Sequence, residues 1–305
     1  MSKFGEFVKN AFWVILLLQI VPPFIKSAYT YVGDIMEPKN KVGLIIIDTP
    51  IMSSGSINKQ LKTFFKDQEI KAILLKIDSP GGAAGSSESI TQEILRLKIQ
   101  YPKPIVAYSE NVCASGAYMI AAATDYVITT RNAIVGSIGA KISTQFKVQE
   151  LLHKHDIQTH SIASGDYKNS LDPFVPMTPE REKMLQDLID DCGQQFVADI
   201  AACRHIPLSQ KSVWAEGRIF TGNDALKLKL IDQVGNQSVA LDYIKQHILH
   251  ADRELQLIKK PKPSRISQLF NPETDEDDDL VMSLGSSLSK GFMSQLSKSS
   301  VLFSE

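Results

Sequence analysis

A chain of 305 residues holds one domain of about 200 residues with a full core and an extension at each end, and is too short for two large domains. Apolar residues at 43% and charged residues at 22% are ordinary for a globular protein, and a net charge of −1 leaves no electrostatic footprint for nucleic acid. Cys113, Cys192 and Cys203 match neither a disulfide framework nor a zinc site, and the histidines include no HExxH, so neither a metal nor a cofactor is expected.

From Asn10 to Ile25 no residue is charged, and Ala11 to Leu18 is strongly apolar. As a helix this stretch reaches roughly 24 Å, short of a hydrocarbon core of roughly 30 Å, and continuing past a snorkelling Lys26 to Val32 completes the span. Residues 1–40 are read as an uncleaved signal anchor and linker. The competing account is a cleaved secretory peptide, for which no small-x-small site follows cleanly. Lysines lie on both sides of the segment, so charge does not set its orientation.

Residues 41–250 alternate short β-branched runs with helical ones, the pattern of an α/β domain. Val42 to Ile47, Ala72 to Ile77, Ile105 to Tyr108, Tyr126 to Thr129 and Thr159 to Ala163 read as strands. Ile57 to Gln68, Ser87 to Ile99, Ala114 to Ala123 and Val148 to His155 read as helices. A long helix is predicted from Thr178 to Arg204, with Pro179 at its first position and acidic residues in its first turn. Residues 251–305 are basic and proline-rich, then acidic, then serine-rich, and read as a poorly ordered tail in which Val281 to Leu296 could form a short amphipathic helix.

Three segments place small residues and polar groups just after a predicted strand, where open α/β folds build their sites. In Asp78-Ser79-Pro80-Gly81-Gly82 the glycines permit backbone N–H groups to turn toward a ligand, as an oxyanion hole requires, although the same residues also make an ordinary turn. In Asn111 to Tyr118, Ser115 falls in the first turn of a helix, where free N–H groups favour a developing oxyanion. The small residues there serve close helix packing equally well, and Cys113 is a rival nucleophile that lacks a nearby histidine. The third segment, Gly165-Asp166-Tyr167-Lys168, carries a lysine in a site-like loop.

Taken in order, these segments resemble the signal peptide peptidase A (protease IV) family over about Val42 to Ile248. Asp78 to Gly82 is similar to the family's oxyanion-hole loop and Cys113 to Tyr118 to its nucleophile segment. Gly136-Ser137-Ile138-Gly139 resembles the segment whose serine orients the base, and Gly165 to Lys168 the one that carries it. Gly217 to Gly222, with Ala225, Leu230, Ile231 and Asp232, is similar to a downstream family signature. The nucleophile segment departs from the family in having Ala117 where a second glycine is frequent.

The resemblance implies a Clp protease/crotonase-like spiral of β-β-α units and a Ser-Lys serine endopeptidase. Ser115 would be the nucleophile, Lys168 the general base, Ser137 its orienting hydroxyl, and Gly82 and Gly116 the oxyanion hole. It implies peptide substrates such as residual signal peptides or membrane-protein fragments, and a ring-like homo-oligomer whose subunits help build each site. It also implies a single pass through the bacterial inner membrane with the catalytic domain on the extracytoplasmic side. The rival readings are a crotonase-like acyl-CoA enzyme and a catalytically silent membrane scaffold of the same fold.

Overall fold

The computed structural model describes residues 13, 21–22, 40–143, 146–251 and 254–259. Two apolar runs, β1 (Asn40–Ile47) and β2 (Ile70–Ser79), pair in parallel from Val42 opposite Ala72 to Ile47 opposite Ile77. Their near-continuous hydrophobicity suits a parallel sheet covered on both faces, because neither side of such a strand meets water. The helix between them, α1 (Gly55–Lys66), buries Leu61, Phe64 and Phe65. Gly43 admits this packing: a Cβ at that position would lie 2.8 Å from the Phe64 ring.

The chain continues through α2 (Ala84–Gln100), β3 (Ile105–Ala114), α3 (Gly116–Ala122), β4 (Tyr126–Thr129) and β5 (Ile134–Gly136). After the short α4 (Gln149–Lys154) comes α5 (Pro179–Arg204), then α6 (Lys211–Trp214), β6 (Ile219–Thr221), α7 (Gly222–Lys227) and β7 (Gln233–Val234). The last elements are α8 (Gln237–Tyr243), prolonged by a π-helical turn, and β8 (Leu255–Ile258). The sheet runs β6-β5-β3-β2-β1-β8, with β4 on β3 and β7 on β4, and every pairing is parallel except β5 with β6. The fold is therefore mixed α/β around a largely parallel sheet.

One face of the sheet is covered by α1, α2 and α3 and by the end of α5, joining Phe64, Ile90, Ile94, Ile120, Phe196 and Ile200 in one core. On the other face Val42, Leu44, Leu74, Val106 and Ile128 pack beneath Ala240 and Ile244. Helix α5 begins where the sequence places it: the Thr178 hydroxyl accepts from the Arg181 N–H, Pro179 occupies the first turn, and His205 ends the helix in the left-handed conformation.

Two expectations are corrected. Thr159 to Ala163 forms no strand; the Thr159 hydroxyl donates to the Phe174 carbonyl and Ser161 accepts from the Asn169 amide, so polar side chains bond within a loop instead of a ladder. Leu255–Ile258, assigned by composition to the tail, instead pairs with β1 from Asn40 to Gly43 and carries the folded domain past residue 250. The predicted anchor, apart from Trp13, Val21 and Pro22, and residues 252–253 and 260–305 of the tail lie outside the described residues. Among the described residues no helix is long and apolar enough to cross a membrane.

The end of α5 is locked to the sheet by charge. Arg204 donates through Nη1 to Asp232 Oδ2 at 2.9 Å and through Nη2 to Oδ1 at 2.7 Å, and Asp232 Oδ2 also accepts from the Val127 N–H at 2.8 Å. The arginine side chain is only 7% exposed, so losing its partner would strand a guanidinium away from water. Asp232→Ala is expected to lower stability by about 3–5 kcal/mol, read as a fall in the urea unfolding midpoint.

Candidate active site

Strand β3 has two partners in succession. Val106 to Ser109 pair with β4, and Val112 to Ala114 pair with β5. Against β2 the register slips, because Ile77 faces Ser109 whereas Ser79 faces Cys113, which sets four steps of β3 against two of β2. Asp78 takes up the polar groups at this bulge: Oδ1 accepts from the Val112 N–H at 3.0 Å and Oδ2 from the Asn111 side-chain amide at 2.6 Å.

The bulge delivers Ser115 to the end of β3 with φ 53 and ψ −129, a conformation costly for any residue with a Cβ. Its N–H donates to the Gly136 carbonyl at 2.7 Å, and its own carbonyl accepts from the Met119 N–H at 3.0 Å, so β5 and α3 together impose the turn. One strand over, Ala114 faces Gly136, and the next residue, Ser137, also has φ 53. The Ser137 N–H donates to the Arg218 carbonyl at 2.7 Å and the Gly217 N–H to the Ile138 carbonyl at 2.9 Å. The two serines thus leave the ends of neighbouring parallel strands with the same positive φ, both half-buried.

The glycine loop closes over this turn. Gly81 has φ +94, and a Cβ there would lie 2.7 Å from the Gly116 nitrogen and 2.8 Å from the Ser115 Cβ. The loop is held from outside by Ile51, whose N–H donates to the Gly81 carbonyl at 2.9 Å and whose carbonyl accepts from the Ala83 N–H at 2.7 Å. It is held from inside by the buried Ser79 hydroxyl, which donates to the Thr49 carbonyl at 2.7 Å and accepts from the Gly81 N–H at 3.2 Å. A Cβ on Gly116 would come 2.1 Å from Ser87 Oγ and 3.7 Å from the Gly82 nitrogen. Among the described residues neither the Gly82 nor the Gly116 N–H donates to a protein acceptor, so two neighbouring donors beside Ser115 stand ready for an anionic oxygen.

Of the residues singled out in the sequence, Ser115, Ser137, Gly82 and Gly116 are gathered together. Lys168 is not: it sits in a turn closed by its N–H to the Gly165 carbonyl at 3.2 Å, exposed, with no hydrogen bond to either serine among the described residues. Its surroundings are unusual for a surface. Ile162 is 88% and Tyr167 51% exposed, and Phe146, Leu151, Ile157, Leu171 and Phe174 also face outward. Cys113 is removed as a rival nucleophile, because complete burial, helped by the Asp78 charge, pushes its thiol well above the ordinary range and keeps it protonated. Sequence reasoning missed the supporting roles of Ser79, Ser87 and Ile51, which reveal themselves only as contacts. An open groove of about 640 Å³ along α1, lined by Lys59, Lys62 and Lys66 among others, shares no residue with this site.

Residues 98–249 match the model of peptidase family S49, a stretch that includes Ser115, Ser137 and Lys168 and begins after the glycine loop. A protein of Synechocystis sp. provisionally named a protease is 34% identical over 70% of this chain and 78% of its own length. The chain belongs to peptidase family S49. A provisionally named protease of Methanocaldococcus jannaschii is 37% identical over 59% of this chain, and an Enterococcus faecium protein provisionally named a signal peptide peptidase is 33% identical over 61%. The chain spans 57% and 54% of the lengths of these two relatives.

Membership of a peptidase family gives the glycine geometry a functional readout. A Cβ on Gly82 would lie 2.1 Å from the Ile51 carbonyl oxygen, whereas one on Gly85, in the first turn of α2, meets nothing within 4 Å. Gly82→Ala is expected to lower Tm because main chain must move. Gly85→Ala is expected to keep activity and add about 0.4–1 kcal/mol of stability, read as a higher Tm.

Proposed function

We propose that the chain is a membrane-anchored serine endopeptidase with a Ser115–Lys168 dyad, built on a Clp protease/crotonase-like spiral. The observation that carries this reading is the backbone at Ser115: a hydroxyl-bearing residue in a strained turn, flanked by the free N–H groups of Gly82 and Gly116. A packing role alone requires neither the strain nor the two unpaired donors. Ser137, leaving the adjacent strand with the same positive φ, supports the assignment of a second hydroxyl that orients the base.

In the proposed reaction Ser115 Oγ attacks a peptide carbonyl carbon while Lys168 Nζ takes its proton. The carbonyl oxygen becomes an oxyanion held by the Gly82 and Gly116 N–H groups, donors of a kind each worth about 10²–10³ in rate. Collapse breaks the C–N bond, and Lys168 returns its proton to the departing amine. Water then attacks the acyl-enzyme, giving its proton to Lys168, and Ser115 leaves with that proton restored.

A lysine can serve as base only where water is excluded, since the free side chain with a pKa near 10.4 stays protonated at neutral pH. The exposed apolar side chains around Lys168 support a ring-like homo-oligomer in which a second copy covers this loop and dries it. In this reading the substrates are extended peptides such as residual signal peptides or membrane-protein fragments, met at a bacterial inner membrane with the catalytic domain on the extracytoplasmic side. The apolar segment between Asn10 and Ile25 supports the anchor.

Ser115→Ala and Lys168→Arg are each expected to remove turnover of a casein substrate while leaving Tm within the spread of the parent, because a guanidinium does not give up its proton. A fluorophosphonate probe should label the parent at Ser115 and neither variant. Retained turnover in Ser115→Ala would exclude the mechanism, and an unlabelled parent would favour a silent scaffold.

A further inference from the structure

Residues 156–178, which contain Lys168, form neither helix nor strand. Most of their hydrogen bonds are local: Ser170 donates its N–H and its hydroxyl to the Tyr167 carbonyl at 3.1 and 2.7 Å, the Asn169 amide reaches Ser161 Oγ at 3.0 Å, and Phe174 donates to Asp172 Oδ1 at 2.9 Å. Such bonds shape the loop, and the Val148 N–H, at the start of α4, also donates to the Pro173 carbonyl at 3.1 Å. Arg181 is different. From the first turn of α5 its guanidinium donates through Nε and Nη2 to the Asp166 carbonyl at 3.0 and 2.8 Å, and through Nη1 to the Pro176 carbonyl at 3.1 Å.

The arginine is itself well anchored. Its N–H donates to the Thr178 hydroxyl that caps α5, and α5 buries Phe196, Ile200 and Ala201 in the core and packs on α3, whose N-cap is Ser115. A continuous path therefore runs from the Asp166 carbonyl, two residues before Lys168, through Arg181 and α5 to the helix that opens at the nucleophile. A planar fork with several donors on a fixed plane can hold two carbonyls from different parts of a loop at once, which a single ammonium cannot.

We propose that Arg181 is a positioning residue for the base: it sets the shape of the loop that carries Lys168 by holding the Asp166 and Pro176 carbonyls on both sides of it against α5. This deepens the dyad reading and rests on it. Arg181 touches no reacting atom, so its loss acts on the chemical step and not on substrate binding.

The test compares the full chain in detergent with its Arg181→Gln, Arg181→Lys and Lys168→Ala variants, measuring kcat, KM and Tm with an apolar peptidyl aminocoumarin. Arg181→Gln is expected to lower kcat by about 10- to 100-fold with KM within about threefold, since small misplacements of a catalytic group cost that much. Arg181→Lys should recover part of kcat by keeping one bond. An Arg181→Gln variant with unchanged kcat, or one whose kcat and KM worsen together with a fallen Tm, overturns the positioning role while Lys168→Ala remains inactive. Full turnover in Lys168→Ala overturns the dyad and the positioning role together.

Discussion

Where four steps of β3 run against two of β2, the polar groups left over must find acceptors, and one carboxylate, Asp78, takes both the Val112 N–H and the Asn111 side-chain amide. This interaction lets β3 leave β4 and join β5, and so brings the end of β3 beside the end of β5. Charge-assisted hydrogen bonds of this kind contribute about 1.5–3 kcal/mol each. The unusual backbone at Ser115 and Ser137 costs about 1–3 kcal/mol apiece. The two magnitudes are comparable, so the Asp78 bonds at Asn111 and Val112 offset strain of the size found at Ser115 just after them.

The segment from Gly217 to Asp232 has a structural task at this same place. Its start grips the Ser137 turn through the Arg218 carbonyl and the Gly217 N–H, and β6 runs antiparallel to β5 from Ile219 to Thr221. Gly222 lies where a Cβ would come 2.1 Å from the Thr130 carbonyl, and Asp232 closes the segment on Arg204 and Val127. A motif that resembles a family signature thus acts by holding the second serine, not by contributing a reacting group.

The two halves of the proposed dyad differ in kind. Ser115 stands between the buried Ala114 and Gly116, and the turns around it are pinned by main-chain bonds and close glycine contacts. The Lys168 loop is irregular, exposed and rich in outward apolar side chains, held to the domain through the guanidinium of Arg181. In the proposed mechanism the serine turn is already formed within the single chain, whereas the lysine would become a proton acceptor only where water is kept away.

From the sequence alone came the α/β character, the extent of α5 and the turns at Gly81 and after β3, because β-branched runs, a Thr-Pro helix start and glycine-bearing turns act through local rules. The same rules failed at Thr159 to Ala163, where strand propensity met no neighbouring ladder, and at Leu255–Ile258, where a polar-looking tail found the open edge of β1. They also stopped β3 at Tyr108, since the polar Ser109-Glu110-Asn111 stretch looks like a loop until Asp78 is seen to satisfy it. Which serines would stand side by side, which N–H groups would be left free, and which arginine would hold the lysine loop were decided only by the tertiary structure. Those outcomes depend on strand register and on contacts between residues far apart in the chain, and no local pattern encodes either.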